Sequence, residues 1–186
     1  MDKATQNPKV KILLDADLII HFYKADKIFD LPNIFNDCAL VLFDLVWEEL
    51  NRTALKFAVE LMLENGSIRL VDFPTENDLI DYEYELLRFE GRGKGESACM
   101  AYAKYNKENV IASSNLSDLL PYCDENKISY MTTLDFLCSA MDKRIYSEDD
   151  CNEFIRKVIE KGSDLPVSKM KDYSCSNRKI LKYRKR

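Results

Sequence analysis

The sequence predicts an α/β fold in which helices cover both faces of a parallel sheet. The first observation is that five short apolar runs, each bounded by charged or turn-forming residues, recur along the chain. The second is that apolar residues between these runs follow helical spacing, and strands that alternate with helices form parallel sheets with right-handed crossovers. The third is composition: 46% hydrophobic and 32% charged residues over 186 positions suit one globular domain with a sizeable core.

The apolar runs and the segments between them define the predicted elements in chain order. A first helix follows the first strand. A long helix follows the second strand, and Asn65 and Gly66 are typical of a helix end. Strands are expected at 9–14, 39–43, 67–73, 109–113 and 128–131, and the later helices at 45–63, 76–89, 95–105, 116–125, 132–141 and 148–161.

The first strand ends at a carboxylate, Asp15. In open α/β sheets, ligands bind at the edge where the strands present their carboxyl ends. An unpaired buried carboxylate is energetically costly, so an acid at this edge needs a partner. We therefore expect Asp15 to belong to a functional site.

Three further segments carry polar side chains that can meet the end of strand one. Glu48 and Glu49 lie early in the helix after strand two. Glu96 lies in the first turn of a later helix, where the helix dipole favours the ionised carboxylate. Strand four exits into Asn115, and Asp118 follows about one helical turn later.

These acids, where they converge, form a site for a divalent cation. Clustered carboxylates cannot all stay ionised without a counter-ion. Mg²⁺ or Mn²⁺ is the natural choice for an all-oxygen site, and two such ions can activate water and stabilise the leaving oxygen in phosphodiester cleavage. The alternative is a set of solvated surface acids, because the chain contains 32 Asp and Glu residues.

Four segments, in their order and spacing, carry a resemblance to a known family. They are Leu-Asp-Ala-Asp-Leu-Ile at 14–19, Val-Trp-Glu-Glu-Leu at 46–50, Gly-Lys-Gly-Glu-Ser-Ala at 93–98 and Val-Ile-Ala-Ser-Ser-Asn at 110–115. Together with Thr-Leu-Asp-Phe-Leu at 133–137, they resemble a PIN domain. The resemblance implies a three-layer α/β/α sandwich around a five-stranded parallel sheet in the order 3-2-1-4-5. It covers roughly residues 9–165, so we expect the domain at residues 1–166 and a basic tail at 167–186.

The same resemblance assigns roles to the acids. PIN domains are mostly metal-dependent ribonucleases, and many are toxins of toxin–antitoxin pairs. Asp15, Glu49 and Glu96 match the first, second and third catalytic acids, which are also metal ligands, with Glu48 as a neighbouring candidate for the second. Asp17 stands where the family often has Asn, which supports the site.

The exit of strand four departs from the family pattern. Active members generally carry Ser or Thr and then one or two Asp, whereas here Ser114 is followed by Asn115. Ser114 matches the supporting hydroxyl. Asn115 can donate a carbonyl oxygen to a metal but removes one negative charge. Asp118 is a further candidate catalytic acid, and Asp135, after strand five, is expected to be structural.

Basic residues near the acids point to a polyanionic partner. Arg92 and Lys94 precede Glu96 and are placed to hold a phosphate, with simple solvation as the alternative. The net charge of −5 also hides an asymmetry, because residues 169–186 contain eight basic residues and one acid. Such a tail indicates a polyanion partner or a solvated terminus.

Two functions are consistent with these patterns. The first is a metal-dependent endoribonuclease that cleaves RNA phosphodiesters, with DNA as a related substrate and an antitoxin as the partner of a toxin. The second, motivated by Asn115, is a catalytically degenerate PIN-like module that binds nucleic acid or a protein. A homodimer is compatible with both.

The remaining features favour ordinary structural roles. His21, on the first helix, is expected to be a packed histidine rather than a general base. The six cysteines contain no CxxC pair and are expected to be reduced and mostly buried. No apolar stretch reaches the 18 or more residues that span a bilayer, and the polar N-terminus lacks a signal-peptide core, so a cytoplasmic location is expected.

Overall fold

The sheet is the element that positions the candidate residues. A computed structural model describes residues 10–175 and contains one five-stranded, all-parallel sheet in the order β3-β2-β1-β4-β5. This order confirms the predicted fold class. Lys9, at the predicted start of strand one, lies outside the described residues. The strands are β1 (Lys11–Leu14), β2 (Ala39–Phe43), β3 (Arg69–Val71), β4 (Val110–Ala112) and β5 (Ser129–Met131).

Helices flank this sheet and complete the three-layer α/β/α arrangement. No helix among residues 10–175 combines the length and the apolar character that crossing a membrane requires. The α-helices in that range are α1 (Ala16–Lys24), α2 (Leu31–Ile34), α3 (Asp44–Leu50), α4 (Lys56–Glu64), α5 (Asp78–Phe89), α6 (Lys94–Tyr105), α7 (Leu116–Asn126), α8 (Thr133–Asp142) and α9 (Glu148–Glu160).

The single helix predicted over 45–63 is wrong, because the chain breaks it into α3 and α4. The hydroxyl of Thr53 donates to the carbonyl oxygen of Leu50 at 2.7 Å, and such local side-chain bonds compete with helix continuation. The break also corrects the position of Glu48 and Glu49. They lie in the last turn of α3, rather than early in the helix.

Strand β1 lies at the centre of the sheet, where Ile12, Leu13 and Leu14 are fully buried. It pairs with β2 on one side and β4 on the other, with Leu14 opposite Ala112. The chain leaves both strands at the same edge, and the backbone N–H of Asp15 donates to the Ala112 carbonyl oxygen at 2.9 Å. Because the connections from β1 and β4 leave in opposite directions, this edge is the switch point of the sheet.

The cysteines differ from the expectation that all are reduced. Cys138 in α8 and Cys175 form a disulfide across 37 positions of sequence. The spacing of cysteines in the sequence carries no information on such a pair, because the fold alone brings the two residues together. The other four are buried and form no disulfide, as expected: Cys38, Cys99, Cys123 and Cys151.

The chain continues to pack on the domain after the predicted boundary at residue 166. Met170 is buried at the start of a 3₁₀ turn over Met170–Asp172, and its N–H donates to the Asn152 side chain at 2.8 Å. The polar segment 1–9 and residues 176–186 of the basic tail lie outside the described residues.

Candidate functional site

A cavity of about 330 Å³ lies at the switch point, over the carboxyl ends of β1 and β4. It brings together most of the predicted site residues, although they come from four different segments of the chain. Lys94, Ser114 and Glu48 are not among the residues that line it. The lining consists of Asp15, Ala16, Asp17, Ile20, Glu49, Gly91, Arg92, Gly93, Glu96, Asn115 and Asp118.

Asp15 is the N-cap of α1, which explains why the strand ends in an acid. Its Oδ1 accepts the Ala16 N–H at 2.8 Å, as an N-cap side chain should. Burial, followed by the neighbouring charge of Asp17, raises the pKa of Asp15 from 3.8 to about 8, against the opposing effect of a hydrogen bond from Ser113. Without a cation, this site therefore resists ionisation of its central acid.

Asp17 carries an unpaired oxygen in the same site. Its Oδ2 accepts the Ser114 N–H at 2.7 Å and the Ser113 hydroxyl at 3.4 Å. Its Oδ1 is buried and has no hydrogen-bond partner. Burial raises the pKa of this acid as well. A buried carboxylate oxygen without a partner is costly, and a bound cation would satisfy it.

Gly95 brings α6 close to α3, and an acid from each of the two helices lines the cavity. A Cβ at this position would lie 2.8 Å from Val46 Cγ2, so only glycine fits without movement. The Gly95 N–H donates to Glu49 Oε1 at 3.0 Å, while the next residue, Glu96, faces the cavity. Burial, with the Asp118 carboxylate as the second cause, raises the pKa of Glu96 from 4.5 to about 7.

Asn115 bridges two of the acids through its amide. The Asn115 Nδ2 donates to Glu96 Oε1 and to Asp118 Oδ2, each at 3.0 Å. Its Oδ1 accepts the Ser117 hydroxyl at 2.7 Å. The amide group thus supplies hydrogen-bond donors to the acids, and its oxygen would reach a cation there only after the side chain rotates.

The two predicted phosphate-binding cations differ in position. Arg92 lines the cavity, where it donates to the Asp118 carbonyl oxygen at 2.9 Å and pairs with Glu90 at 3.3 Å. Lys94 lies outside it and pairs with Glu48 at 3.4 Å, with both side chains about half exposed. Arg92 is therefore the better placed of the two for a ligand in the cavity.

A buried hydrogen-bond chain supports the exit of strand β4. Thr133 Oγ1 lies 2.9 Å from His21 Nδ1 and 2.7 Å from Ser114 Oγ. Burial, with a smaller effect from Lys24, lowers the pKa of His21 to about 4, so the ring is neutral at pH 7. The hydroxyl of Ser114 thus bonds to Thr133, at the start of α8, and not to an acid of the cavity. Asp135 caps α8 through Thr132, consistent with its expected structural role.

Ser113 is the site residue that the sequence interpretation missed. It is fully buried and its hydroxyl bonds to Asp17, and a hydrogen bond from it opposes the raised pKa of Asp15. Its signal in the sequence was only its place beside Ser114. The hydroxyl that bonds to an acid of the cavity therefore comes from the residue before the one that the family pattern indicated, because the Ser114 hydroxyl bonds to Thr133.

The donors present suit a hard divalent cation, although they are not preassembled. No group of three or more Asp, Glu, His or Cys side chains within residues 10–175 is arranged to hold a metal ion as it stands. The cavity nevertheless offers carboxylate oxygens from Asp15, Asp17, Glu49, Glu96 and Asp118, which is the ligand class that Mg²⁺ and Mn²⁺ prefer. The unpaired Asp17 oxygen and the raised pKa values of Asp15 and Glu96 both indicate missing positive charge.

Comparison with known proteins adds no relative: the sequence matches no protein-family model, and no curated protein matches it either.

Proposed function

We propose that this protein is a metal-dependent endoribonuclease with a PIN-like fold. The observation that carries the proposal is the cavity at the switch point, which five carboxylates line, one of them Asp17, whose buried Oδ1 has no hydrogen-bond partner. Neither a packing role nor ordinary surface solvation explains acids that come from α1 and its N-cap, α3, α6 and α7 and line one cavity, where the pKa values of Asp15, Asp17 and Glu96 are raised. A cation that balances their charge does explain them.

The roles of the residues follow from their positions. Asp15, Glu49 and Glu96 would hold Mg²⁺ or Mn²⁺, and Asn115 would join them through its oxygen after rotation. The bound ion would activate water and stabilise charge on the phosphodiester. Asp17 and Ser113 fix the exit of β4 against the start of α1, and Asp118, like Glu96, accepts a hydrogen bond from the Asn115 amide. Arg92 is the side chain that would hold an RNA phosphate beside the acids.

The test of this proposal is RNA cleavage in the presence of Mn²⁺ or Mg²⁺. Glu96→Gln keeps the shape of the side chain but removes one negative charge from the cavity. We expect its cleavage rate to fall by at least about 10- to 100-fold, because even residues that only support a metal ligand carry effects of this size. Glu64→Gln, which changes an exposed acid on α4, is the matched control and should cleave like the wild type. Equal background rates in all three proteins would contradict the proposal.

A second candidate function is a PIN-like module that binds nucleic acid or a protein without cleavage. Asn115 favours it, because its amide donates hydrogen bonds to the carboxylates of Glu96 and Asp118, which a bound cation would otherwise stabilise. In this alternative the acids are held together without metal. A toxin role with an antitoxin partner, a homodimer and a cytoplasmic location are compatible with both candidates.

Asn115→Asp separates the two candidates. The change replaces the donating amide with a carboxylate and adds a negative charge beside Glu96. If the site binds metal, we expect Mn²⁺ affinity to rise by roughly 10-fold, because affinity for hard cations increases with the number of charged ligands. If the amide instead replaces the metal, the variant should lose stability through like-charge repulsion, with no gain in Mn²⁺ binding. Calorimetric titration and thermal unfolding of the same samples distinguish these results.

A further inference from the structure

Helix α5 exposes an apolar stripe that has no partner among the described residues. Leu79, Tyr82, Leu86 and Phe89 are 61%, 69%, 40% and 91% exposed, and their spacing places all four on one face of the helix. The opposite face, which includes Leu87, is buried. An exposed apolar face of this kind marks an interaction site.

The surface around the stripe is acidic. On α5, Asp78, Asp81 and Glu85 follow one edge of the stripe. On the other side, a groove separates α5 from α7, and Leu86, Pro121 and Tyr122 line it. Its glutamates outnumber its cations by three to two, because Lys104 pairs with Glu83 and Arg92 with Glu90, which leaves the charge of Glu125 in excess. Helix α7 contains three acids and no basic residue. The occupant of this surface should therefore combine apolar side chains with positive charge.

A second copy of the chain does not meet this requirement. A two-fold contact between α5 stripes would place Asp78, Asp81 and Glu85 near the same acids of the other copy. Like charges that face each other across an interface oppose association and select against such a partner. The charge pattern thus favours a basic segment over self-association through this face.

The chain itself contains a segment with the required chemistry. Residues 176–186 carry six basic residues and no acid, together with the apolar residues Ile180, Leu181 and Tyr183. The starting point of this segment is fixed: Cys175 is bonded to Cys138, and the Tyr173 hydroxyl donates to Asp135 Oδ1 at 2.8 Å.

That starting point lies against α7, within reach of the groove. Tyr173 and Ser174 line a pocket with Leu116 and Leu120, on one side of α7, whereas Pro121 and Glu125 of the same helix line the groove. A helix with its side chains is about 10 Å across. Eleven extended residues span up to about 36 Å. The segment is therefore long enough to cross α7 and reach Leu86.

We propose that residues 176–186 dock in cis across α7 onto the groove between α5 and α7. Apolar residues of the segment cover Leu86 and the neighbouring stripe, and its lysines and arginines face Glu90 and Glu125. Arg92 lines this groove and the acidic cavity alike, so the proposed docking surface adjoins the candidate site. The proposal does not depend on nuclease activity. Its competitor is a tail that binds only RNA.

The test is zero-length carbodiimide cross-linking of the full-length protein, read by mass spectrometry. We expect intramolecular links from Lys179, Lys182 or Lys185 to Glu90 or Glu125. Leu86→Ser should reduce these links about 5-fold, the effect of losing part of one leucine contact. The matched control is Leu61→Ser on α4, a leucine of similar exposure (50%), and it should leave the links unchanged.

Two results would overturn the docking proposal. The first is tail lysines that link as often to acids on α4 and α9 as to those of the groove. The second is tail lysines that link to no groove acid and are protected from acetylation only when RNA is added, which would assign the tail to RNA. Cross-links to Glu90 or Glu125 that keep their full yield in Leu86→Ser would likewise overturn the proposal.

Discussion

Without metal, Asp15→Asn is expected to melt at a higher temperature than the wild type at pH 8. The carboxyl of Asp15 has a folded-state pKa of about 8, against an ordinary value of 3.8. An acid whose pKa rises on folding contributes full stability below about pH 4 and loses it as the pH rises towards 8. Asparagine keeps the shape without the ionisation. We expect a gain on the order of 3 kcal/mol, or roughly 5–10 °C.

The pH dependence identifies the cause of this gain. In EDTA, the difference between the variant and the wild type should be small or reversed at pH 4 and grow up to pH 8, as measured by circular dichroism during heating. Asp72→Asn, which changes an exposed aspartate outside the cavity, should follow the wild-type curve. A difference in melting temperature that stays constant at all pH values would mean that ionisation of Asp15 does not destabilise the fold.

Gly95→Ala is expected to destabilise the protein and to separate Glu49 from Glu96. The added Cβ would lie 2.8 Å from Val46 Cγ2 and 3.3 Å from its Cα. Val46 is fully buried, and its β-branched side chain has little freedom to move. Overpacking of this kind costs about 1–3 kcal/mol, although the better helix propensity of alanine offsets up to about 1 kcal/mol. Chemical denaturation measures the net loss.

Gly93→Ala is the matched control for this substitution. A Cβ at Gly93 meets nothing closer than the Glu96 Cβ at 4.0 Å, and its backbone has a negative φ, so alanine should be tolerated. A Val46→Ala change in the Gly95→Ala background should restore much of the lost stability and the Mn²⁺ response. If the Gly95→Ala variant matches the Gly93→Ala variant in stability, the close approach of α6 to α3 does not define the site.

The ends of strands β1 and β4, and their meeting at one edge of the sheet, were predictable from the sequence. Asp15 and Asn115 follow strands whose apolar runs are unambiguous, and parallel strands bring their carboxyl ends to one edge. Glu49 and Glu96 were assigned to the same site only because the order of their motifs along the chain resembles that of a PIN domain. Their lining of one cavity with Asp118 is what the structure adds.

Other features depended on contacts that the sequence does not encode locally. The break between α3 and α4 lies at Thr53, whose hydroxyl donates to the Leu50 carbonyl oxygen. The apolar residues around it keep helical spacing and so do not predict the break. The Cys138–Cys175 pair depends on how the last residues return to α8. Ser113 and Ser114 are adjacent and chemically identical, and only the packing of α1 and α8 gives the hydroxyl of Ser113 to the acids.

The direction of the Asn115 amide is the least predictable feature of the site, and it bears on both candidate functions. A side chain that follows a strand can point its oxygen or its nitrogen into a cavity. Here the hydroxyl of Ser117 donates to the Asn115 oxygen, so the amide nitrogen faces Glu96 and Asp118 and donates to both.

Metal-dependent cleavage requires that the acids of the cavity bind a divalent cation. Calorimetric titration with Mn²⁺ at pH 7, repeated in buffers of different ionisation enthalpy, measures this binding and the protons released with it. We expect saturable binding by the wild type with release of roughly one proton, because Asp15 and Glu96 are partly protonated before the ion binds. We also expect Asp15→Asn to lose both the binding and the proton release. Absence of saturable binding by the wild type, or binding that Asp15→Asn leaves unchanged, would contradict metal binding by these acids.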